Sequence, residues 1–511
     1  MGRPHLHGHL CLRPRPGQID RPRHNAGSRP GRGGRLLAPL LLWAALLCAL
    51  SPPAGAALPD LGDPASSMLS PAQEQALGQR LLREVRRSLP LSHDPLLVNY
   101  VRSLGQRLVA HIPDGGHSHY RFLVVADDAV NAFAMPGGVV GINTGLMRIT
   151  RNEAELAAVI AHEIAHVTQR HIAQAHAAGS RSDLATGLAI LAGIIASAYA
   201  PELGQAAIVG GMAGGTQARL NFTRAKEEEA DRIGVRILAE ADYTPGAMPD
   251  FFERMMRQAG GGGDAVPEYL RTHPVTSRRI AETRDRAAAY ESRDRLTDSP
   301  EFRLMRARVR ALEDPEGVLA NQETGKDTDP AADHYGHAVA LIQQGRSQEA
   351  LEVLEAAARE GGDGIGLYLE LARAEALLAG REQAPGRALK ILDRLQQLYP
   401  DYPPVTQIRA RALLAADRPA LALEAVDRLL EHDTEHPALY HLKAEAADRM
   451  GHTALSHEAM AEYYFHHGQY REAVRQLDIA LSAPNLEPHL EQRIREKRET
   501  AVRLAQEEDG A

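Results

Sequence analysis

The chain has 511 residues, 44% apolar and 4% aromatic, with a formal net charge of −8. That length exceeds one ordinary core, so two or more domains are expected, and the acidic balance argues against nucleic acid as a partner. Both cysteines, Cys11 and Cys48, fall within the first 56 residues, which leaves nothing downstream for disulfides or thiol chemistry.

Residues 1–35 carry eight arginines and a single aspartate, and residues 36–56 carry no charged side chain. The apolar run "LLAPLLLWAALLCAL" followed by "SPPAGAA" has the basic, apolar and small-residue order of a secretory signal peptide, with Ala54-Gly55-Ala56 as the cleavage signal and cleavage after Ala56. The run is about 15 residues, short of the roughly 20 that a membrane span needs. An uncleaved anchor is the alternative, and lipidation of Cys48 is opposed by the bulky Leu47 before it.

After the signal, "SPAQEQALGQRLLREVRR" and "DPLLVNYVRSLGQRLVAHI" read as amphipathic helices starting at Ser70-Pro71 and Asp94-Pro95. "YRFLVVAD" and "GGVVGINTGL" read as short strands. A helix is then expected from a capping box of Thr150 and Glu153. Along it Leu156, Val159, Ile160, Glu163 and Val167 share one stripe, while His162 and His166 project from adjacent turns of one face. A buried carboxylate between two imidazoles is costly unless it is paired or metal-bound. The pattern H-E-x-x-H answers that cost with two imidazole ligands for zinc and a glutamate as general base.

A third ligand is needed, and "KEEEADRIGVRILAEA" supplies it. Its apolar stripe of Ala230, Ile233, Gly234, Ile237 and Leu238 extends backwards to Glu227, whereas Glu228 and Glu229 rotate away and are expected to face solvent. Asp231, four residues on, shares the Glu227 face and is placed to hold a ligand imidazole by its free N–H. Three protein ligands leave the fourth zinc position open, as a catalytic site requires. Between the two motifs lies an apolar, Gly- and Ala-rich stretch at 184–215, expected to be a lid or core hairpin rather than a membrane span.

Beyond residue 333 everything reads as helix. "GRSQEALEVLEAA", "GREQAPGRALKILDRL", "DRPALALEAVDRLL" and "GQYREAVRQLDIAL" repeat a turn residue, a polar stretch, an alanine and a Leu/Val stripe. With a period near 34 and prolines such as Pro400 and Pro437 closing units, roughly four tetratricopeptide repeats stacked into a solenoid are expected; a plain helical bundle is the alternative.

His162-Glu163-x-x-His166, Glu227-x-x-Ala230-Asp231 and His273-Pro274-x-x-x-x-Arg279 together resemble the gluzincin family of zinc metallopeptidases, which includes the heat-shock membrane protease and the prenyl-protein endoprotease. With the export signal and the repeats, the arrangement is similar to the periplasmic members of that family in Gram-negative bacteria. The resemblance implies a mainly α protein: an α+β zincin-type domain with a small sheet over 57–300, a linker over 301–332, an all-α repeat solenoid over 333–485 and a C-terminal helix or tail over 486–511. It implies one zinc per chain on His162, His166 and Glu227 with Glu163 as the base. It directs attention to 131–147 as the source of an edge strand beside the zinc, with Val139, Val140 and Ile142 as the strand a substrate would join. His273 either donates to a developing oxyanion, closes the zinc as a fourth ligand, or merely caps a turn; the glycines at 260–263 would let its segment move. Arg279 either stabilises transition-state charge or pairs with Asp231.

The implied role is a periplasmic endopeptidase of misfolded or stalled outer-membrane proteins, docked through its repeats to the outer-membrane β-barrel assembly machinery and assisting assembly. Two other readings are a chaperone-like docking factor with a mostly silent zinc site and a membrane-bound protease of integral membrane substrates. Peripheral membrane contact is compatible with each.

Overall fold

A computed structural model describes residues 69–112, 119–178, 216–260, 267–290, 295–320, 329–360, 364–380, 384–484 and 486–509. The expected signal peptide, the apolar stretch 184–215 and most of the glycine loop after residue 260 lie outside the described residues. Among the described residues no helix is long and apolar enough to cross a membrane.

The described part is mainly helical around one small sheet. Helix α1 (Pro71–Ser88) begins with Ser70 and Gln73 capping each other, and α2 (Pro95–Val109) begins with Asp94 accepting from the amides of Leu96 and Leu97. Pro95 at the first turn costs α2 no hydrogen bond. Strands β1 (Arg121–Val125), β2 (Ala132–Met135) and β3 (Val139–Asn143) form a sheet in the order β1-β3-β2. β1 runs parallel to β3 with Arg121 opposite Val139, and β2 runs antiparallel with Ala132 opposite Ile142. The β2–β3 turn needs Gly138: its φ is +85°, and a Cβ there would come within 2.5 Å of the His119 carbonyl oxygen.

This order corrects one expectation. Val139, Val140 and Ile142 lie on the central strand, hydrogen-bonded on both sides, so β3 offers no free edge. An edge in this segment belongs to the short β2.

Helices α3 (Thr144–Ile149), α4 (Glu153–Thr168) and α5 (His171–Ala178) follow, then α6 (Thr216–Glu240), α7 (Ala247–Gly260), α8 (Glu268–Thr272), α9 (Ser277–Ala288) and α10 (Pro300–Glu313). The cap of α4 sits two residues later than the Thr150–Glu153 box. Asn152 accepts from the Glu155 amide, and the Glu155 side chain accepts from the Arg151 amide, while Thr150 turns back to the Met147 carbonyl. Helix α4 is the centre of the domain, with 14 of its 16 residues buried; its many alanines let β2, α6 and α7 pack closely on it.

The interval expected as a linker is helical over α10 and α11 (Pro315–Ala320), and Phe302, Leu304, Met305 and Val309 are buried. Four helix pairs follow: α12 (Pro330–Gln343) with α13 (Ser347–Glu360), α14 (Gly366–Ala379) with α15 (Pro385–Leu398), α16 (Pro403–Ala415) with α17 (Pro419–His432), and α18 (Pro437–Arg449) with α19 (Thr453–His466). Then come α20 (Tyr470–Leu481) and α21 (Pro488–Asp509). The turns inside the first, third and fourth pairs place Gly345, Asp417 and Gly451 at positive φ, each with the following amide reaching five residues back. Gly468 makes the same turn between α19 and α20, so it joins the fourth pair to the next helix rather than starting a unit.

The repeats fold against the sheet-bearing part. One apolar cluster runs from Leu96 through Phe302 and Tyr335 to Leu442. Arg308 of α10 is buried and ties both parts together, meeting Asp94 at 2.7–3.0 Å, Glu375 at 2.8 and 3.0 Å and the Tyr335 hydroxyl at 3.1 Å. The loop between α17 and α18 is held by Arg121, whose fork meets Glu435 at 2.7 and 2.8 Å, and by Arg102, which meets Asp433 at 2.6 Å.

Candidate metal centre

Helix α4 carries His162, Glu163 and His166 into the interior: His162 and Glu163 are fully buried and His166 nearly so. Helix α6 crosses alongside, and Gly234 permits the approach, because a Cβ there would lie 3.3 Å from the His162 amide nitrogen and 2.8 Å from Met248. That contact aims Glu227 and Asp231 at the two histidines. His273, just after α8, closes the group from a third side.

His162 Nε2 lies 3.0 Å from His166 Nε2, 3.4 Å from Glu227 and 3.3 Å from His273 Nδ1. His166 Nε2 lies 3.4 Å from Glu227, and His273 Nδ1 lies 3.2 Å from both Glu227 oxygens. The ligand atoms of these four residues all lie within 4.8 Å of one another. A shared proton can satisfy one such pair of nitrogens; a cation satisfies all four groups together. Nitrogen and carboxylate donors of this kind suit a borderline divalent ion.

Burial alone would depress the His162 imidazole, but Asp231 and Glu227 outweigh it and raise it to about 9. Burial, then the proximity of His162, drives His166 well below the ordinary histidine value. Burial pushes Glu227 up, yet the facing imidazoles of His273 and His162 hold it well below the usual carboxylate range.

Glu163 stands apart from the four. Its carboxylate contacts His273 Nε2 at 3.3 Å, and burial pushes it up against the pull of His273 and His162. Asp231 Oδ1 lies 3.0 Å from His162 Nδ1, and Asp231 in turn accepts from Arg279 at 2.7 and 2.8 Å. Arg279 also meets Glu227 at 3.0 Å and donates to the Pro274 carbonyl at 2.8 Å. All seven residues picked out in the sequence thus converge. Of the two settings offered for Arg279, the geometry has it paired with Asp231, and His273 faces the ligand atoms rather than solvent.

Sequence reasoning missed two neighbours. His171 Nδ1 lies 3.0 Å from His166 Nδ1, and His171 Nε2 lies 3.2 Å from Glu229. Glu229 is therefore half-buried and engaged rather than turned to solvent. A continuous helix would put His171 off the His166 face; instead Arg170 takes φ of 52°, ends α4 and folds His171 back under His166. The signal within reach was the third histidine of "HEIAHVTQRH", five residues after His166. Tyr269 was also unforeseen: its ring stacks on His273 at 4.9 Å between centroids, and its buried hydroxyl has no hydrogen-bond partner among the described residues.

Residues 95–287 match the family described as Peptidase family M48. The chain is 37% identical over 305 residues to the beta-barrel assembly-enhancing protease of Escherichia coli (strain K12), covering 58% of this chain and 62% of that protein. It is 36% identical over 310 residues to the beta-barrel assembly-enhancing protease of Yersinia pestis, covering 59% of this chain and 63% of that protein. Similarity to the mitochondrial metalloendopeptidase OMA1 of Arabidopsis thaliana is 37% over 160 residues, or 31% of this chain and 30% of that one. The chain thus spans about three fifths of the length of the first of these relatives. Every member of the buried histidine and carboxylate cluster falls inside the interval that matches Peptidase family M48.

Proposed function

We propose that this chain is a periplasmic zinc metalloendopeptidase that hydrolyses misfolded or stalled outer-membrane proteins and assists their assembly. The observation that carries the reading is the convergence of His162, His166 and Glu227 with the separate, buried Glu163. His162, His166 and Glu227 would hold one zinc per chain. A zinc ion so held supplies Lewis acidity, polarising a peptide carbonyl and acidifying water.

The remaining chemistry belongs to the protein. Glu163 accepts the proton of the attacking water at its carboxylate and passes it to the amide nitrogen as the C–N bond breaks and the new C–O bond forms. Its raised proton affinity suits a group that must both take and release that proton. Arg279 and Asp231 hold His162 in orientation. An extended client adds to the free side of β2, held mainly by backbone hydrogen bonds.

The location and client class rest on the signal-like segment before residue 57 and on the names of the relatives, which are assembly-enhancing proteases. Docking to the β-barrel assembly machinery is assigned to the helix pairs from α12 onward. A second reading, a docking factor whose zinc is mostly silent, draws support from His273 Nδ1, which sits among the ligand atoms where a substrate group would enter.

The test is cleavage of unfolded casein and of an unfolded porin by wild type and Glu163→Gln. Cleavage of both substrates by wild type alone supports the peptidase. Cleavage that survives in Glu163→Gln removes Glu163 from its role, and cleavage by neither protein favours the silent docking factor.

A further inference from the structure

His171 and Glu229 touch no atom that faces the centre of the cluster, yet both are tied to it. His166 turns Nε2 towards His162 and Glu227, at 3.0 and 3.4 Å. Its other nitrogen, Nδ1, therefore points away from the cluster, and it meets His171 Nδ1 at 3.0 Å. The far nitrogen of His171 meets Glu229 Oε2 at 3.2 Å, and the same oxygen takes Lys226 Nζ at 3.0 Å.

Proton counting gives this chain one direction. A nitrogen that holds a cation carries no proton, so a metal on His166 Nε2 leaves the ring proton on Nδ1. His166 Nδ1 must then donate, and His171 Nδ1 must accept. The His171 proton is thereby confined to Nε2, where the Glu229 carboxylate accepts it. One carboxylate thus sets the tautomer of two imidazoles in series.

The backbone is arranged for this contact. Arg170 adopts φ of 52°, which a non-glycine side chain seldom does. It is held there by its side chain, with Nε 2.7 Å from Glu74 and Nη2 2.9 Å from the Leu69 carbonyl. The break between α4 and α5 turns His171 inward, and the residue is buried. The two α4 histidines are consequently braced differently. His162 Nδ1 faces the carboxylate of Asp231 directly, whereas His166 Nδ1 meets the His171 ring, whose far nitrogen meets Glu229.

We propose that His171, set by Glu229, is a positioning residue for His166: it fixes the ring orientation and tautomer with which His166 presents Nε2 to zinc. The proposal rests on the zinc reading above, extends it to residues outside the ligand set, and assigns the Arg170 break its purpose.

The test measures the zinc dissociation constant of the full chain by competition with a chromophoric chelator, for wild type, His171→Phe, His171→Asn and Glu229→Gln. Phenylalanine keeps the ring volume and removes the acceptor; asparagine keeps an acceptor close to the Nδ1 position. Expected is affinity about 10–100-fold weaker in His171→Phe, within about threefold of wild type in His171→Asn, and weakened by a smaller factor in Glu229→Gln. The visible absorption bands of the cobalt-substituted protein should shift in His171→Phe and return in His171→Asn. Wild-type affinity and an unshifted cobalt spectrum in His171→Phe overturn the proposal while leaving the zinc reading intact. Equal loss in the phenylalanine and asparagine variants also overturns it, because packing alone would then explain the effect. Should His171→Phe fail to fold, Glu229→Gln decides, and unchanged affinity there counts against the proposal. A wild-type chain that binds no zinc removes the zinc reading and the proposal with it.

Discussion

Arg279 meets Asp231 edge to edge, Nε to Oδ2 at 2.7 Å and Nη2 to Oδ1 at 2.8 Å, with both side chains buried. Asp231 in turn lies 3.0 Å from His162 Nδ1. Arg279→Lys keeps the charge and loses the fork, so zinc retention should weaken about 10-fold or more in a chelator competition. Arg279→Met strands a buried carboxylate and should destabilise the metal-free protein by about 3–5 kcal/mol in urea unfolding. Unchanged zinc affinity in the lysine variant would mean that Asp231 is oriented by other contacts.

His273 offers Nδ1 to the ligand atoms and Nε2 to Glu163, at 3.2–3.3 Å in both directions. With the proposed zinc on His162, His166 and Glu227, a residue in that position would compete with substrate for the remaining coordination place. His273→Ala should raise turnover of unfolded casein severalfold and loosen zinc at the same time. If turnover and zinc affinity are both unchanged, His273 only caps the turn before Pro274.

Arg308 joins the sheet-bearing part to the repeats through Asp94 and Glu375, which lie 214 and 67 residues from it in the chain. Arg308→Met leaves two carboxylates without their shared cation and should cost about 3–5 kcal/mol, read as a lower urea midpoint. Midpoints equal to wild type would show that water replaces the arginine at this seam.

The metal motif was legible because its parts follow one helical period. His162, Glu163 and His166 lie on a single helix, and Glu227 and Asp231 continue an apolar stripe on another. Strand β2 was not legible. "AFAM" is four residues long, alternates poorly, and sits beside a Pro-Gly-Gly turn, so its neighbour β3 drew the reading of an exposed edge. His171 was lost for a related reason, since a periodic projection cannot foresee the reversal of φ at Arg170. The seam to the repeats escaped altogether. Arg121, Arg308, Glu375 and Glu435 read singly as solvated charges, and only the fold brings them together.

A histidine group at that seam gives a pH dependence. Burial holds His436, His466 and His467 below the ordinary histidine value, His436 at about 4, and Arg86, Arg102, Asp433, Glu435 and Glu462 face them. These rings take up protons less readily in the folded chain than in the unfolded chain, which does so as pH falls through about 6.5. Their contribution is therefore complete above about pH 6.5 and is lost as pH falls towards 4. Urea unfolding should show stability lower by about 1–2 kcal/mol at pH 5 than at pH 7.5. The double variant His436→Asn, His466→Gln should flatten that slope, and an unaltered slope would assign it to other groups.

Metal content is the most direct test of the centre. Elemental analysis of the purified chain should find about one zinc per molecule in wild type and in Glu163→Gln, and little in Glu227→Ala, because the proposed ligand set includes Glu227 and leaves out Glu163. A wild-type chain without zinc, or a Glu227→Ala chain with its full complement, would contradict the ligand set drawn from α4 and α6.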